Sequence, residues 1–251
     1  MTPHTEYESL ICDLEVLAGM TNYHGWILDE ISPYLGSRLA EIGAGIGTVT
    51  AMLALTHLTA HPSARLEAFE PSGPFWERLH MALEQAHHDL IRTDRLRITK
   101  GYFHPLPQHY DTIIMINVLE HIQDDQEAVR TAYQSLSPGG TFIVYSPALA
   151  WLYSPQDKAV GHYRRYTLGP LQQLFGQEGF TVIRAKHMDC MGVLPWYLLN
   201  VVGGATTINP HLAHVYDRWV VPITRWLERL WPPRIGKNVL IVGRKPALTA
   251  P

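Results

Sequence analysis

The stretch RLAEIGAGIGT, residues 38–48, constrains the fold more than any other part of the sequence. Residues of strand character, Arg38–Ile42, run directly into glycines at 43, 45 and 47, and the helix-forming run TVTAMLALTHL follows. A strand that enters a helix through so short a glycine turn opens a βαβ unit, and glycine lets backbone approach a ligand where a Cβ would stand in the way. The spacing is GxGxG, so Gly47 comes one position early for the dinucleotide fingerprint GxGxxG.

The same rhythm continues along the chain. Apolar runs at Arg65–Glu70, Leu96–Lys100, Thr112–Asn117, Thr141–Ser146, Phe180–His187 and Asn238–Arg244 read as strands. Helical patterns at 74–87, 123–136 and 168–178 lie between them, with Thr167 as an N-cap, Gly179 as a stop and Ser137-Pro138-Gly139-Gly140 as a turn. Alternation of this kind predicts an α/β fold with a doubly wound, mostly parallel sheet. Residues 1–35 read as an N-terminal helical cap, and 148–170 and 190–235 as insertions in one domain spanning 1–251.

Hydrophobic residues make up 46% and charged residues 17% of the chain, enough apolar material for one large core. A net charge of -3 opposes a surface made for nucleic-acid backbone. The two cysteines, Cys12 and Cys190, give no disulfide framework, and the N-terminus lacks the basic start and apolar run of a secretory signal. These features suit a cytoplasmic protein.

Two carboxylates sharpen the glycine signal. Glu41 precedes the glycines within the first strand, and Glu70 closes the second, where an acid can accept both hydrogens of a ribose diol. EIGAGIGT, FEPS and YDTIIMINVLEHI together resemble motif I, the ribose acid and the segment after strand four of class I S-adenosylmethionine (SAM)-dependent methyltransferases. The resemblance covers Arg38–Pro147 and extends through the RRYT helix to the final strand. It implies seven strands with an antiparallel last one, supplied by NVLIVGRK, and SAM as cofactor. It also implies cofactor contacts from Glu41, Gly43, Ala44, Gly45, Gly47, Glu70 and Pro71, from Asn117, Val118 and Leu119, and from His121. Tyr23 and Trp26, within NYHGW, resemble a helix that folds over SAM in several relatives, and an aromatic pair packing on the core is the equal alternative. Many relatives carry an acid after the third strand, whereas this chain has Gly101-Tyr102-Phe103, so an aromatic ring is the expected adenine partner.

On the acceptor side the candidates lie after strand five. Asp157 and His162 are the candidate bases. Arg164 and Arg165, before a helix N-terminus, could hold an anion or tie the loop to the fold, and Tyr166, Trp196 and Tyr197 are further acceptor-binding candidates. Neither His57 and His61 nor any Cys-x-x-Cys pair makes a metal site, and no metal is expected.

From Cys190 to Tyr216 there is no Asp, Glu, Lys or Arg, yet Pro195, Asn200, Gly203-Gly204 and Asn209-Pro210 break the run too often for a membrane span. An acceptor lid, a dimer surface and a peripheral membrane contact are the three readings of this insertion, and the lid is favoured. The expected function is methyl transfer to a small lipophilic acceptor, isoprenoid-like and bearing an anionic group. A nicotinamide-dependent oxidoreductase and a non-catalytic SAM-fold partner protein are the alternatives.

Overall fold

A computed structural model describes residues 3–247. In chain order the elements are α1 (Pro3–Ala18), α2 (Thr21–Ile31), β1 (Arg38–Ile42), α3 (Thr48–Leu53), β2 (Arg65–Glu70), α4 (Gly73–Arg92), β3 (Leu96–Lys100), β4 (Tyr110–Ile116) and α5 (Asp125–Ser135). There follow β5 (Leu136–Pro147), α6 (Pro155–Ala159), α7 (Leu168–Gln177), β6 (Thr181–Met188), α8 (Val193–Trp196), α9 (Pro210–Val215), α10 (Val221–Leu230) and β7 (Asn238–Arg244). The ends of the expected 1–251 unit, residues 1, 2 and 248–251, lie outside the described residues.

The strand order is β3-β2-β1-β4-β5-β7-β6 in one seven-stranded sheet. Strands β1 to β5 are parallel to one another, and β7 runs antiparallel between β5 and β6. Successive residues of a strand face opposite sides, and β1 shows it: Leu39 enters the cluster with Ile31, Leu53 and Leu79, while Ala40 enters the cluster with Val129, Leu171 and Phe175. Helices α2 to α4 therefore cover one face, and α5 and α7 the other. Both faces being covered explains why β4 and β7 read as unbroken apolar runs. Chain order reverses between β1 and β4, which opens a crevice at the carboxyl ends of these strands.

Two local expectations are corrected. The Ser137–Gly140 turn is absorbed into β5: Leu136 pairs with Tyr110, Gly139 N–H donates to Lys245 O (2.9 Å) and Lys245 N–H donates to Gly140 O (2.8 Å). Gly139 supplies the left-handed residue this bulge needs, at φ +83°. Thr167 precedes α7 but makes no capping hydrogen bond with its side chain.

The insertion after β6 packs on the N-terminal helices. Asp217 accepts the Tyr23 N–H (2.8 Å) and the Asn22 N–H (3.2 Å) at the start of α2, and Asp13 accepts the Ile208 N–H (2.9 Å). No helix among the described residues is long and apolar enough to cross a membrane.

Candidate active site

The three glycines of the loop have different reasons to be glycine. All are left-handed, at φ +72°, +59° and +92° for Gly43, Gly45 and Gly47. A Cβ on Gly43 would sit 2.6 Å from Val118 Cγ2, and one on Gly47 would sit 2.6 Å from Leu79 Cδ1. A Cβ on Gly45 would meet nothing within 4 Å. Packing therefore fixes the outer two, and Gly45 is where backbone faces open space. Ala44 is buried, and the Gly43 and Ala44 N–H groups both donate to Phe69 O (2.8 and 3.0 Å), tying the loop to β2.

Glu70 ends β2 directly beside this opening. Its carboxylate accepts the Gly45 N–H (2.8 Å) and the Ser72 N–H (2.8 Å). Burial raises its pKa, and those two N–H groups work against the rise. Pro71 follows on the surface. Glu41 lies beneath the loop, buried, and accepts Thr50 Oγ1–H (2.7 Å) from α3; burial pushes its carboxyl up to about 7. Glu41 thus braces the loop from below, turned toward α3.

Beyond β3, Gly101 (φ +149°) also has open space at its Cβ position, and Tyr102 is 74% exposed. Phe103 instead packs edge-on against Phe69, at 5.1 Å between centroids, so Tyr102 is the free ring of the expected pair. At the end of β4, Asn117 is left-handed (φ +53°) and donates its N–H to Tyr145 O (2.7 Å). Val118 supports Gly43 and Leu119 is buried, with Glu120 and His121 in the turn that follows.

Trp26 is 2% exposed within the core, which leaves it no face for a ligand and corrects its expected cofactor role. Tyr23 is also buried. Its hydroxyl donates to Asn238 Oδ1 (2.9 Å) and shares a hydrogen bond with the Tyr145 hydroxyl (2.7 Å), and burial pushes its pKa up to about 12.

The acceptor-side candidates converge, in roles unlike those expected. Asp157 belongs to a capping box at the start of α6, where its carboxylate accepts the Ser154 N–H and hydroxyl, both at 2.8 Å. It also faces His162 Nδ1 (2.7 Å) and Arg165 Nε (3.0 Å). Burial pushes this carboxyl up, but the His162, Arg165 and Ser154 donors outweigh it and hold the pKa below the usual range. A carboxylate so fully occupied is an orienting group, which corrects its reading as a base. The sequence Ser154-Pro-Gln-Asp157 carries the capping signature that would have revealed this.

His162 is the member of the group left with a ring nitrogen to spare. Nε2 lies 3.9 Å from Glu120 Oε1, and the ring meets His121 edge-on at 4.5 Å. Glu120 is fully buried, pushed up to about 7 by that burial, and accepts the Ser146 hydroxyl (2.9 Å). Its Oε1 has no hydrogen-bond partner among the described residues. Donor atoms of Glu120, His121 and His162 lie within 4.8 Å of one another, a set able to ligate a divalent ion.

The adjacent arginines do not form an open anion clamp. Arg165 is buried against Asp157, and Arg164 pairs with Asp125 (2.6 Å) and donates to Gln123 O (2.6 Å). Tyr166 is buried as well, its hydroxyl donating to Asp125 (2.9 Å) and Leu119 O (3.2 Å). The insertion closes over this loop through Trp196, which donates Nε1–H to Leu152 O (3.0 Å) and lies under the Arg165 guanidinium at 4.6 Å. Tyr197 meets Trp151 edge-on at 5.8 Å.

On the far side of Trp196 is a group the sequence reading missed. Lys237 Nζ lies 5.7 Å from the Trp196 ring, 5.2 Å from Tyr23 and 5.8 Å from Tyr216, and pairs with Asp189 (3.1 Å). Burial lowers the Lys237 pKa, but Tyr23 and Asp189 more than offset this, so it stays charged. These residues are scattered over 23–237 and leave no local motif.

Comparison with known proteins agrees with the geometry. A family model described as "Methyltransferase domain" matches residues 40–142. The ubiquinone biosynthesis O-methyltransferase of Aeromonas salmonicida is 28% identical over 120 residues, covering 47% of each chain. The chain thus spans about half the length of the curated relatives it matches. The structure of Haemonchus contortus phosphoethanolamine N-methyltransferase 2 with SAM superposes with a TM-score of 0.60 at 16% identity, covering 90% of this chain and 52% of that one. The YcgJ protein of Bacillus subtilis gives 0.58 at 17% identity, covering 89% and 99%. These likenesses in structure concern the fold.

The residues present fit SAM. The open Gly45 position, the adjoining buried carboxylate of Glu70 and the exposed Tyr102 ring are the parts a nucleoside needs. Neither the glycine spacing nor the matched family supports the nicotinamide alternative. Residues 40–142 match a methyltransferase domain, and the seven-stranded fold is shared with SAM-dependent methyltransferases of known structure.

Proposed function

We propose that the chain, acting as one unit, transfers a methyl group from SAM to a hydroxyl oxygen of a small lipophilic acceptor. The observation that carries this reading is the junction of Gly45 and Glu70. A backbone N–H and a buried carboxylate meet there, at the reversal of strand order, beside space that no side chain fills. SAM supplies a sulfonium-activated methyl group, and its transfer is an in-line displacement that needs an aligned acceptor. Glu70 accepts the ribose hydroxyls, Tyr102 stacks on the adenine, and the backbone of Asn117–Leu119 lines the methionine end.

His162 removes the acceptor proton. Its Nδ1 faces Asp157, an orientation that turns Nε2 toward the acceptor. The acceptor oxygen would give its electron pair to the methyl carbon as the carbon–sulfur pair returns to sulfur, leaving S-adenosylhomocysteine, and the acceptor proton would pass to Nε2. The imidazolium that results is held between Asp157 and Glu120. Trp196 and Tyr197 close the acceptor side as a lid. The name of the curated relatives, O-methyltransferases of ubiquinone biosynthesis, supports an oxygen on a lipophilic molecule. This reading needs no anionic group on the acceptor, because Arg164 and Arg165 are already paired. Two free cysteines suit a reducing compartment, and we place the protein in the cytoplasm.

The test uses SAM with a labelled methyl group and a panel of hydroxylated lipophilic aromatics. The label should enter the organic phase, and His162→Gln should lower kcat by about 10²–10⁴-fold while SAM affinity is kept. Bound SAM with no transfer to any hydroxyl acceptor would refute the assigned chemistry.

A further inference from the structure

Residues 210–230 run as one helical stretch, α9 and α10 joined by the turn Tyr216–Val220. Two rows follow the three-and-four spacing of a helix face. The inward row is Ala213, Asp217, Val221, Thr224 and Glu228, none more than 9% exposed. The outward row is Leu212, Val215, Trp219, Ile223, Trp226 and Leu230, each between 41% and 61% exposed. A surface helix normally turns its apolar row to the core, and here the arrangement is reversed. The inward polar groups pin it that way. Asp217 accepts N–H groups at the start of α2, and Glu228 accepts the Cys190 N–H (2.8 Å). Rolling the helix to hide its tryptophans would leave the Tyr23 and Cys190 N–H groups without their acceptors.

Within this segment the exposed charges have one sign, and the neighbouring exposed acid, Asp29, is taken up by Arg225. Between residues 191 and 237 the acids are Asp217 and Glu228, both buried, and the bases are Arg218, Arg225, Arg229, Arg234 and Lys237. Arg218, Arg229 and Arg234 are exposed, while Arg225 pairs with Asp29. A chain of net charge -3 therefore presents a local apolar face rimmed by arginine. Trp231, 75% exposed, extends the row beyond α10.

We infer that this face docks on an anionic lipid bilayer, with the apolar row at the acyl boundary and the arginines among the headgroup phosphates. Tryptophan and leucine on one side with arginine alongside is the make-up of a helix that lies in the membrane interface. No described helix is long and apolar enough to cross, so the contact is peripheral. A second copy fits less well, because a two-fold contact sets a patch on itself and would bring the arginines together. The inference stands whatever the acceptor is.

Flotation with vesicles of phosphatidylcholine alone, or with a third of phosphatidylglycerol, tests it. The protein should rise with the anionic vesicles, more at low salt than at high. Each of Arg218→Gln, Arg229→Gln and Arg234→Gln should weaken partition roughly fivefold. The double variant Trp219→Ser with Trp226→Ser should weaken it more than about tenfold while keeping the wild-type circular dichroism melt. Brominated acyl chains should quench wild-type tryptophan fluorescence, a readout that needs no variant. Failure to float with anionic vesicles, partition untouched by these variants, or absence of quenching overturns the proposal. A dimer in sedimentation velocity that the tryptophan variants dissolve would also overturn it, giving the face to a second copy.

Discussion

At the proposed donor side the groups beside open space are a backbone N–H and one carboxylate, carried by neighbouring strands: Gly45 after β1 and Glu70 at the end of β2. At the proposed acceptor side the structure instead gathers charged and aromatic side chains from separate segments: Glu120 after β4, Asp157, His162 and Arg165 on the loop after β5, Asp189 and Trp196 after β6, and Lys237 before β7. The first construction gives one donor geometry that any acceptor can share. The second is a web of side chains, each of which can change with the acceptor, and its parts are held by pairing with one another.

That difference predicts unequal costs of mutation. The largest effect is on catalysis, the loss of His162 described above. Arg165→Met comes next, because Asp157 would be left buried without its cation, and stability should fall by about 3–5 kcal/mol in urea titration. Arg164→Gln should cost less than about 1 kcal/mol, since its pair with Asp125 is partly exposed. Similar costs for the two arginines would break the contrast between a buried web and its exposed edge. Turnover should also survive EDTA, because Nε2 of His162 cannot hold a proton and an ion together. Loss of activity restored by a divalent cation would assign Glu120, His121 and His162 to metal binding instead.

A pH effect on stability draws on both sides. Burial raises Glu41 and Glu120 from 4.5 to about 7, so between those values the folded chain holds protons that the unfolded chain has released. Their contribution to stability is complete below about 4.5 and is lost as pH rises toward 7. Urea midpoints across that window should fall with rising pH, and Glu41→Gln, which can still accept from Thr50, should flatten the slope. An unchanged slope would mean that Glu41 is ionised in the fold.

The same contrast governs what could be read from the sequence. Strands β1, β2, β3 and β7 lie where their apolar runs place them, because both faces of the sheet are covered and the pattern is undisturbed. The glycine loop was legible because its parts are contiguous. Helix α6 was missed since five residues are too few to show a period, although the capping box at Ser154 and Asp157 was written in the chain. Helix α10 carries a clear helical period, and the reading of 190–235 as one insertion passed over it; what the period could not tell is that its apolar row faces outward. Lys237 and Asp189 could not be paired in advance, since only the fold brings residues so far apart into contact.

The central claim is that the Gly45 and Glu70 junction holds the methyl donor, and calorimetric titration of SAM into wild type and Glu70→Ala tests it most directly. The account predicts one SAM per chain for the wild type, and a loss of about 1–3 kcal/mol of binding free energy in a variant that remains folded. Absence of SAM binding to the wild type, or equal affinity in the two proteins, would contradict it.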